Sequence, residues 1–201
     1  MMPWTDLDDV LNMVWKQIEA GAVDPDHPFR TPTFGTAGHN QPQLRTVVLR
    51  TAQRRTRALS FHSDRRAEKV EEVRANERVA WHAWAPEATL QVRLRGRATV
   101  HTDDGVADEM WAAEPPDSLG HYLKEDPPAT LIEQPVDELP EAFHKGTLTE
   151  DDVAPARSNF AVIRTIIDEI DALNLEPGNY QRALFEWDTA ENAFIGSWRV
   201  P

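Results

Sequence analysis

Apolar residues recur at helical spacing from the start of the chain. Leu7, Val10, Leu11, Val14 and Ile18 fall on one face, so residues 5–20 are predicted to form an amphipathic helix. Thr5-x-x-Asp8 offers a capping box and Gly21 a stop. Residues 29–34 and 43–51 read as two strands joined through the Gly-rich turn 35–40, and residues 58–62 as a third. A helix is predicted over 64–75, capped by Asp64, with Val70 and Val73 inward and Asn76 at its end. Strand 79–85 leads around Pro86 to the clearest pattern in the chain. There Leu90, Val92, Leu94, Gly96, Ala98 and Val100 alternate with Gln91, Arg93, Arg95, Arg97 and Thr99, a half-buried strand with a cationic outer face. A short helix follows over 104–113. Residues 114–155 hold seven prolines and many acids, and read as a long, partly helical connection at the rim rather than core. Strands 160–167, 181–187 and 194–200 close the chain, the last two joined by a turn near Glu191 and Asn192. Six or more irregularly spaced strands with few helices favour a mainly-β barrel with appended helices over a parallel α/β sheet.

At 201 residues the chain suits a single domain, 1–201, large enough to bury its own core. It has no cysteine, which excludes disulfides, thiolate metal sites and thiol nucleophiles. The charged N-terminal stretch is neither a signal peptide nor a span, and no later apolar run reaches the roughly 18 residues that a span needs. A soluble, cytoplasmic protein is expected. The net charge of −13 argues against a nucleic-acid partner. It conceals an asymmetry: residues 44–97 carry twelve Arg and one Lys against six acids, whereas residues 101–152 carry fifteen acids and two Lys. Clustered guanidinium groups suit phosphate oxygens, but they equally suit pairing with the acidic half, and charge alone leaves both readings open.

The sequence has no Gly-x-Gly-x-x-Gly, Walker, His-Glu-x-x-His or Gly-x-Ser-x-Gly motif. Its seven His lack metal-ligand spacing, and His82 and His101 read as strand-face residues rather than ligands. Three segments carry the candidate chemistry. Arg45-Thr46-Val47-Val48-Leu49-Arg50 reads as a strand with Arg at both ends. Phe61 to Lys69 runs from a strand end into a helix start, where free N–H groups suit a phosphate and Ser63, Arg66 and Lys69 add a hydroxyl and two cations. Leu90 to Gly96 is the cation-faced strand, and the Gln91 amide suits the edge of a flat polar ring.

In order and spacing these segments resemble the flavin-binding signature of the pyridoxamine 5′-phosphate oxidase family, clearly over residues 45–118 and more loosely over 159–201. The resemblance implies a six-stranded split β-barrel (Greek key) and a homodimer with flavin mononucleotide (FMN) at the subunit interface. Phosphate-binding groups would come from one chain and ring contacts from both. It places Arg45, Thr46, Val47, Val48, Leu49 and Arg50 along the FMN, with Arg50 in the place of a family Lys. His62 and Ser63 fall near the phosphate and ribityl chain. Lys69 falls on the phosphate, with Arg66 substituting for an Arg that is Glu68 here, while Gln91 and Arg182 meet the ring. The family's Trp before the last Arg corresponds to Leu173.

The substrate side departs from the family. Where the family grips its substrate phosphate with Tyr, Arg and Ser, this chain has Met110, Glu114 and Ser118. A carboxylate at the Arg place repels a phosphate, and the C-terminal Arg-x-His of the family is replaced by the neighbourhood of Asn179 and Tyr180. The reading is therefore an FMN-dependent oxidoreductase for an unidentified small molecule. The alternatives are a flavin carrier without turnover, or a split barrel using a deazaflavin or haem. No catalytic side chain and no metal ligand is assigned.

Overall fold

A computed structural model of the chain describes residues 3–38, 41–137 and 139–201. The described residues form nine strands in one antiparallel sheet, flanked by helices. Helix α1, Leu7–Val23, opens the chain. Its cap is Asp6, not Thr5: the Asp6 carboxylate accepts the Asp9 N–H at 3.0 Å. Gly21 does not end it. The glycine lies inside the helix because a Cβ there would sit 2.7 Å from the Phe29 carbonyl carbon, so it marks a close approach rather than a stop.

Residues 28–30, expected to begin a strand, form a 3₁₀ turn started by Pro28. Strands β1 (Thr33–Gly38), β2 (Gln41–Thr46), β3 (Thr51–Gln53), β4 (Ala58–Asp64), β5 (Arg78–Ala85) and β6 (Leu90–His101) follow, with helix α2 (Glu68–Ala75) between β4 and β5. Of the turn expected at 35–40, residues 35–38 belong to β1, and residues 39–40 lie outside the described residues. After helix α3 (Gly105–Ala112) and short helices α4 (Pro116–Leu119), α5 (Glu141–His144) and α6 (Glu150–Val153), strands β7 (Phe160–Asn174), β8 (Gln181–Asp188) and β9 (Ala193–Arg199) complete the sheet. The strand order is β2-β1-β5-β6-β7-β4-β3, with β8 on the second half of β7 and β9 beyond it. The sheet stays open between β2 and β3, as in a split barrel.

The chain itself spans that opening. The expected strand through residue 51 ends as β2 at Thr46, and residues 47–50 leave the ladder although they remain extended. The N–H groups of Val47 and Leu49 donate to the carbonyls of Pro32 and Arg30 at 3.0 and 2.9 Å. On the other side Arg50 N–H donates to Ser60 of β4 at 2.9 Å. The segment thus stitches one sheet edge to the other, with Leu49 pointing into the core.

The core lies inside the curl of the sheet and under α1. Phe34, Phe61 and Trp81 pack edge to face with centroids 4.8–5.5 Å apart. The Trp81 indole N–H donates to Thr165 at 3.2 Å, so this buried polar atom is satisfied. Strand β7 runs well past the expected residue 167. Its second half carries Glu169 and Asp171, which interrupt the apolar pattern but lie directly across from Arg95 and Arg93 of β6. A bulge at Arg95/Gly96 leaves Asp168 unpaired in the ladder. A Cβ on Gly96 would run into the Ile166 carbonyl oxygen.

The connection over 114–155 is more than rim. Leu119, Leu148 and Val153 join Phe160 and Val162 in a second apolar cluster, with Met110, Trp111 and Tyr122 packed around it. Among the described residues no helix is long and apolar enough to cross a membrane.

Candidate functional site

A cavity of about 360 Å³ opens where the seam segment, the end of β4, the start of α2 and the connection meet. Thr46, Val47, Val48 and Arg50 form one wall. His62, Ser63 and Lys69 form the second, and Ser118, His121, Tyr122 and Pro128 close it from the connection. The backbone explains the grouping. Because 47–50 bridges the sheet edges, it lies beside β4 and brings residues of the first two sequence segments into one hollow.

The cations around this hollow are mostly engaged. Arg45 does not line it, and donates to Thr36 Oγ1 at 2.6 Å and Glu72 Oε2 at 2.8 Å. Arg66 clamps Asp64 through Nε and Nη2 at 3.0 and 2.7 Å, and reaches the Lys124 and Glu125 carbonyls. Arg50 donates to Glu114 Oε2 at 3.2 Å. Lys69 differs: its ammonium donates to the Ser63 hydroxyl at 3.3 Å. Burial and the nearby Arg45 lower its pKa, with Asp64 and Glu72 acting in the opposite sense.

Helix α2 begins at Glu68 and not at Asp64. The Asp64 side chain instead accepts Arg66 N–H at 2.8 Å, forming a tight turn before the helix. Ala67 occupies the N-cap and, among the described residues, no side chain caps the helix; Val70 N–H turns back to the Ala67 carbonyl at 2.9 Å. His62 lies against the edge of Phe160 with its side chain 4 % exposed. Burial, and then the Arg50 charge, push its pKa down to about 3, so the imidazole is neutral. Its Nδ1 is 3.9 Å from Glu114, and its buried Nε2 has no hydrogen-bond partner among the described residues.

The four substrate-pocket candidates, Arg50, Met110, Glu114 and Ser118, separate, with Arg50 in the cavity wall. Ser118 lines the cavity, Glu114 stands behind it on Arg50 and His62, and Met110 packs in the second apolar cluster. Tyr122, not anticipated from sequence, takes a place in the wall. Burial raises the pKa of its phenol, which stays protonated as a hydrogen-bond donor. His121 beside it is also held toward neutrality by burial, then by Lys124 and Arg50.

Gln91 and Arg182 lie elsewhere, on the outer face of the β5-β6-β7-β8 sheet. Register puts Trp84, Gln91, Leu173 and Arg182 in one row across four strands, with His82, Arg93 and Asp171 in the next row on the same face. His82 Nε2 and Gln91 Oε1 are 3.4 Å apart. Arg182 and Arg93 both bond Asp171. Among the described residues no group of three His, Asp or Glu is placed to hold a metal ion.

Residues 11–102 match the family model described as the pyridoxamine 5′-phosphate oxidase, FMN-binding domain. That segment, somewhat less than half of the chain, resembles the FMN-binding domain of the pyridoxamine 5′-phosphate oxidase-like family. No curated protein matches the chain. Solved structures share the fold end to end. A pyridoxamine 5′-phosphate oxidase-related, FMN-binding protein from Nostoc punctiforme PCC 73102 superposes with a TM-score of 0.73 at 17 % identity, covering 100 % of both chains. PhzG from Burkholderia lata 383, solved with tetrahydrophenazine-1-carboxylic acid, gives 0.66 at 14 % identity over 99 % of this chain and 94 % of its own. A protein of Clostridium acetobutylicum related to general stress protein 26 gives 0.57 at 10 % identity, over 94 % and 100 %.

The residues present fit the phosphate end of the cofactor that the family name implies. A partly buried ammonium bonded to a hydroxyl, beside an uncapped helix start, is a donor set for a terminal phosphate. The cavity's 360 Å³ lies near the lower bound of ligand pockets, roughly 300–1,000 Å³. That space suits a phosphate and part of a ribityl chain. A flavin ring would extend beyond it.

Proposed function

We propose that the chain binds FMN as a homodimer and acts as an FMN-dependent oxidoreductase on a small molecule. The observation that carries this reading is Lys69, a cation bonded to the Ser63 hydroxyl in a hollow beside an uncapped helix start. In this reading Lys69, Ser63 and the first N–H groups of α2 hold the phosphate. Thr46, Val47, Val48 and Arg50 flank the ribityl chain. Gln91 and Arg182 do not line the hollow, and in this reading their face serves the ring of the partner's cofactor, so that a complete site needs two chains.

When bound, FMN supplies the transfer of a hydride or an electron pair. The chain's own residues bind and orient. Tyr122 offers a protonated hydroxyl at the cavity wall, and His62 stays neutral where a charged imidazole would compete with Lys69 for the phosphate. Titration with FMN and riboflavin, followed by fluorescence quenching, tests the phosphate site. FMN should bind more tightly, and equal affinities would overturn it. Light scattering of the loaded protein should give a dimer; an FMN-loaded monomer would overturn the shared site. A flavin carrier without turnover is the second reading, favoured by the Glu114 carboxylate that occupies Arg50.

A further inference from the structure

Asp171 sits near the C-terminal end of β7 on the outer sheet face, yet its side chain is only 4 % exposed. Two arginines cover it. Arg182 of β8 donates from Nε and Nη2 at 2.9 and 2.7 Å, and Arg93 of β6 donates from Nη2. Both guanidinium groups remain partly open to the outside, 31 % exposed for Arg182 and 42 % for Arg93. One buried carboxylate therefore fixes two cations in a fork, and the three groups together leave one net positive charge on the face. Burial alone would push the Asp171 carboxyl up, but the bonds from Arg182 and then Arg93 outweigh it and hold the group ionised. Gln91, whose Oε1 lies 3.4 Å from His82 Nε2 and can accept from it, stands beside the fork. The bidentate geometry matters, because a guanidinium anchored through Nε and one Nη keeps its plane and presents the other Nη outward.

We infer that Asp171 is a positioning residue that orients Arg182 and Arg93 toward a bound flavin ring and sets the positive charge the ring meets. The inference rests on the FMN-binding reading given above. Its physical content is electrostatic. Reduction places negative charge on the ring, so a fixed net positive charge beside it stabilises the reduced form more than the oxidised form. Asp171 moderates that charge as well as aiming it.

Two variants push in opposite directions. Asp171→Asn removes the carboxylate and leaves two uncompensated cations, which should favour the reduced form. Arg93→Gln removes one cation and leaves Asp171 bonded to Arg182, which should favour the oxidised form. The readout is the midpoint potential of bound FMN, measured against redox dyes, together with FMN and riboflavin affinities. Each variant is expected to change the ratio of reduced-form to oxidised-form affinity by about tenfold, which is about 30 mV for a two-electron couple. The potential should rise for Asp171→Asn and fall for Arg93→Gln. The preference for FMN over riboflavin, a property of the Lys69 hollow, should stay unchanged in both. Shifts of the same sign, or none, overturn the inference while leaving the cofactor reading intact. A wild-type protein that binds no FMN overturns both. If Asp171→Asn does not fold, Arg93→Gln decides alone, because a merely structural role gives it no reason to lower the potential.

Discussion

His62 should make the protein acid-labile as pH falls below about 6.5. Its side chain is 4 % exposed, and burial, then Arg50, hold its pKa near 3, against about 6.5 in an unfolded chain. Below pH 6.5 the unfolded state therefore takes up a proton that the folded state refuses. Stability is full above the unfolded value and is lost as pH falls toward the folded one. The slope is about 1.4 kcal/mol for each unit below 6.5, so moving from pH 7.5 to pH 5.0 should cost about 2 kcal/mol. The carboxyls held low in the fold, Asp104, Asp152, Asp171 and Glu176, lose their stabilisation only at lower pH. Urea unfolding followed by tryptophan fluorescence at the two pH values gives the wild-type difference. The same pair of measurements on His62→Phe should lose most of it, whatever the substitution does to absolute stability. His121 shifts in the same direction, so His121→Gln separates its smaller share. A His62→Phe variant that keeps the full wild-type loss would falsify the assignment of the buried neutral imidazole.

Three further outcomes follow from the same contacts. Lys69→Ala should weaken FMN by about 1.5–3 kcal/mol, the worth of a charge-assisted bond, while riboflavin affinity and urea midpoint barely move in parallel titrations. Gly96→Ala should lower stability by about 1–3 kcal/mol or more, since its Cβ meets the Ile166 carbonyl at the bulge; an unchanged urea midpoint would show that the bulge can shift. Pyridoxamine and pyridoxine 5′-phosphates should be poor substrates in a peroxide-coupled assay. Met110 lies in the apolar cluster and Glu114 presents a carboxylate behind Arg50, and turnover matching that of any other substrate found would show that another cation grips the phosphate.

The elements with uninterrupted periodicity were legible in the sequence. Helix α1 and strand β6 stand close to where the apolar spacing puts them, and Asn76 ends α2 as its residue type suggests. The departures have specific causes. Residues 47–50 look like strand because Val47, Val48 and Leu49 form an apolar β-type run, but the N–H groups of the segment answer two different neighbours instead of one. The second half of β7 was hidden by acids whose partners lie on adjacent strands. Asp168 gathers Arg57, Arg78 and Arg97 within 3.9 Å. In the hollow, Ser63 and Lys69 were readable from a hydroxyl and an ammonium six residues apart across a helix start. Tyr122 was not, because it sits in a Pro-rich acidic stretch with no period to place it. Asp171 was not, because Arg93 lies 78 residues away in sequence.

The charge asymmetry that left two readings open in the sequence can now be resolved residue by residue. Most of the basic segment pairs with acids: Arg45 with Glu72, Arg50 with Glu114, Arg57 with Asp168, Arg66 with Asp64, Arg93 with Asp171 and Arg95 with Glu169. Pairing, then, is what most of the arginines do, and an arginine count overstates the anion site. The ion pairs nevertheless shape that site. By holding Arg45 and Arg66 to carboxylates at its flanks, Glu72 and Asp64 keep two guanidinium groups from filling the hollow. Of the two Arg and Lys side chains that line it, Arg50 is paired with Glu114 and Lys69 has no carboxylate in ion-pair reach among the described residues; Lys69 stands at the start of α2. In the proposed reading an arriving phosphate would meet a positive charge that folding has not neutralised, in a setting where Arg45, Arg50 and Arg66 are already paired. That is why affinity should depend steeply on Lys69 and only weakly on Arg45. The comparison of Lys69→Ala with Arg45→Gln in FMN titrations separates them: equal losses would mean that the Arg45–Glu72 pair opens to take the phosphate.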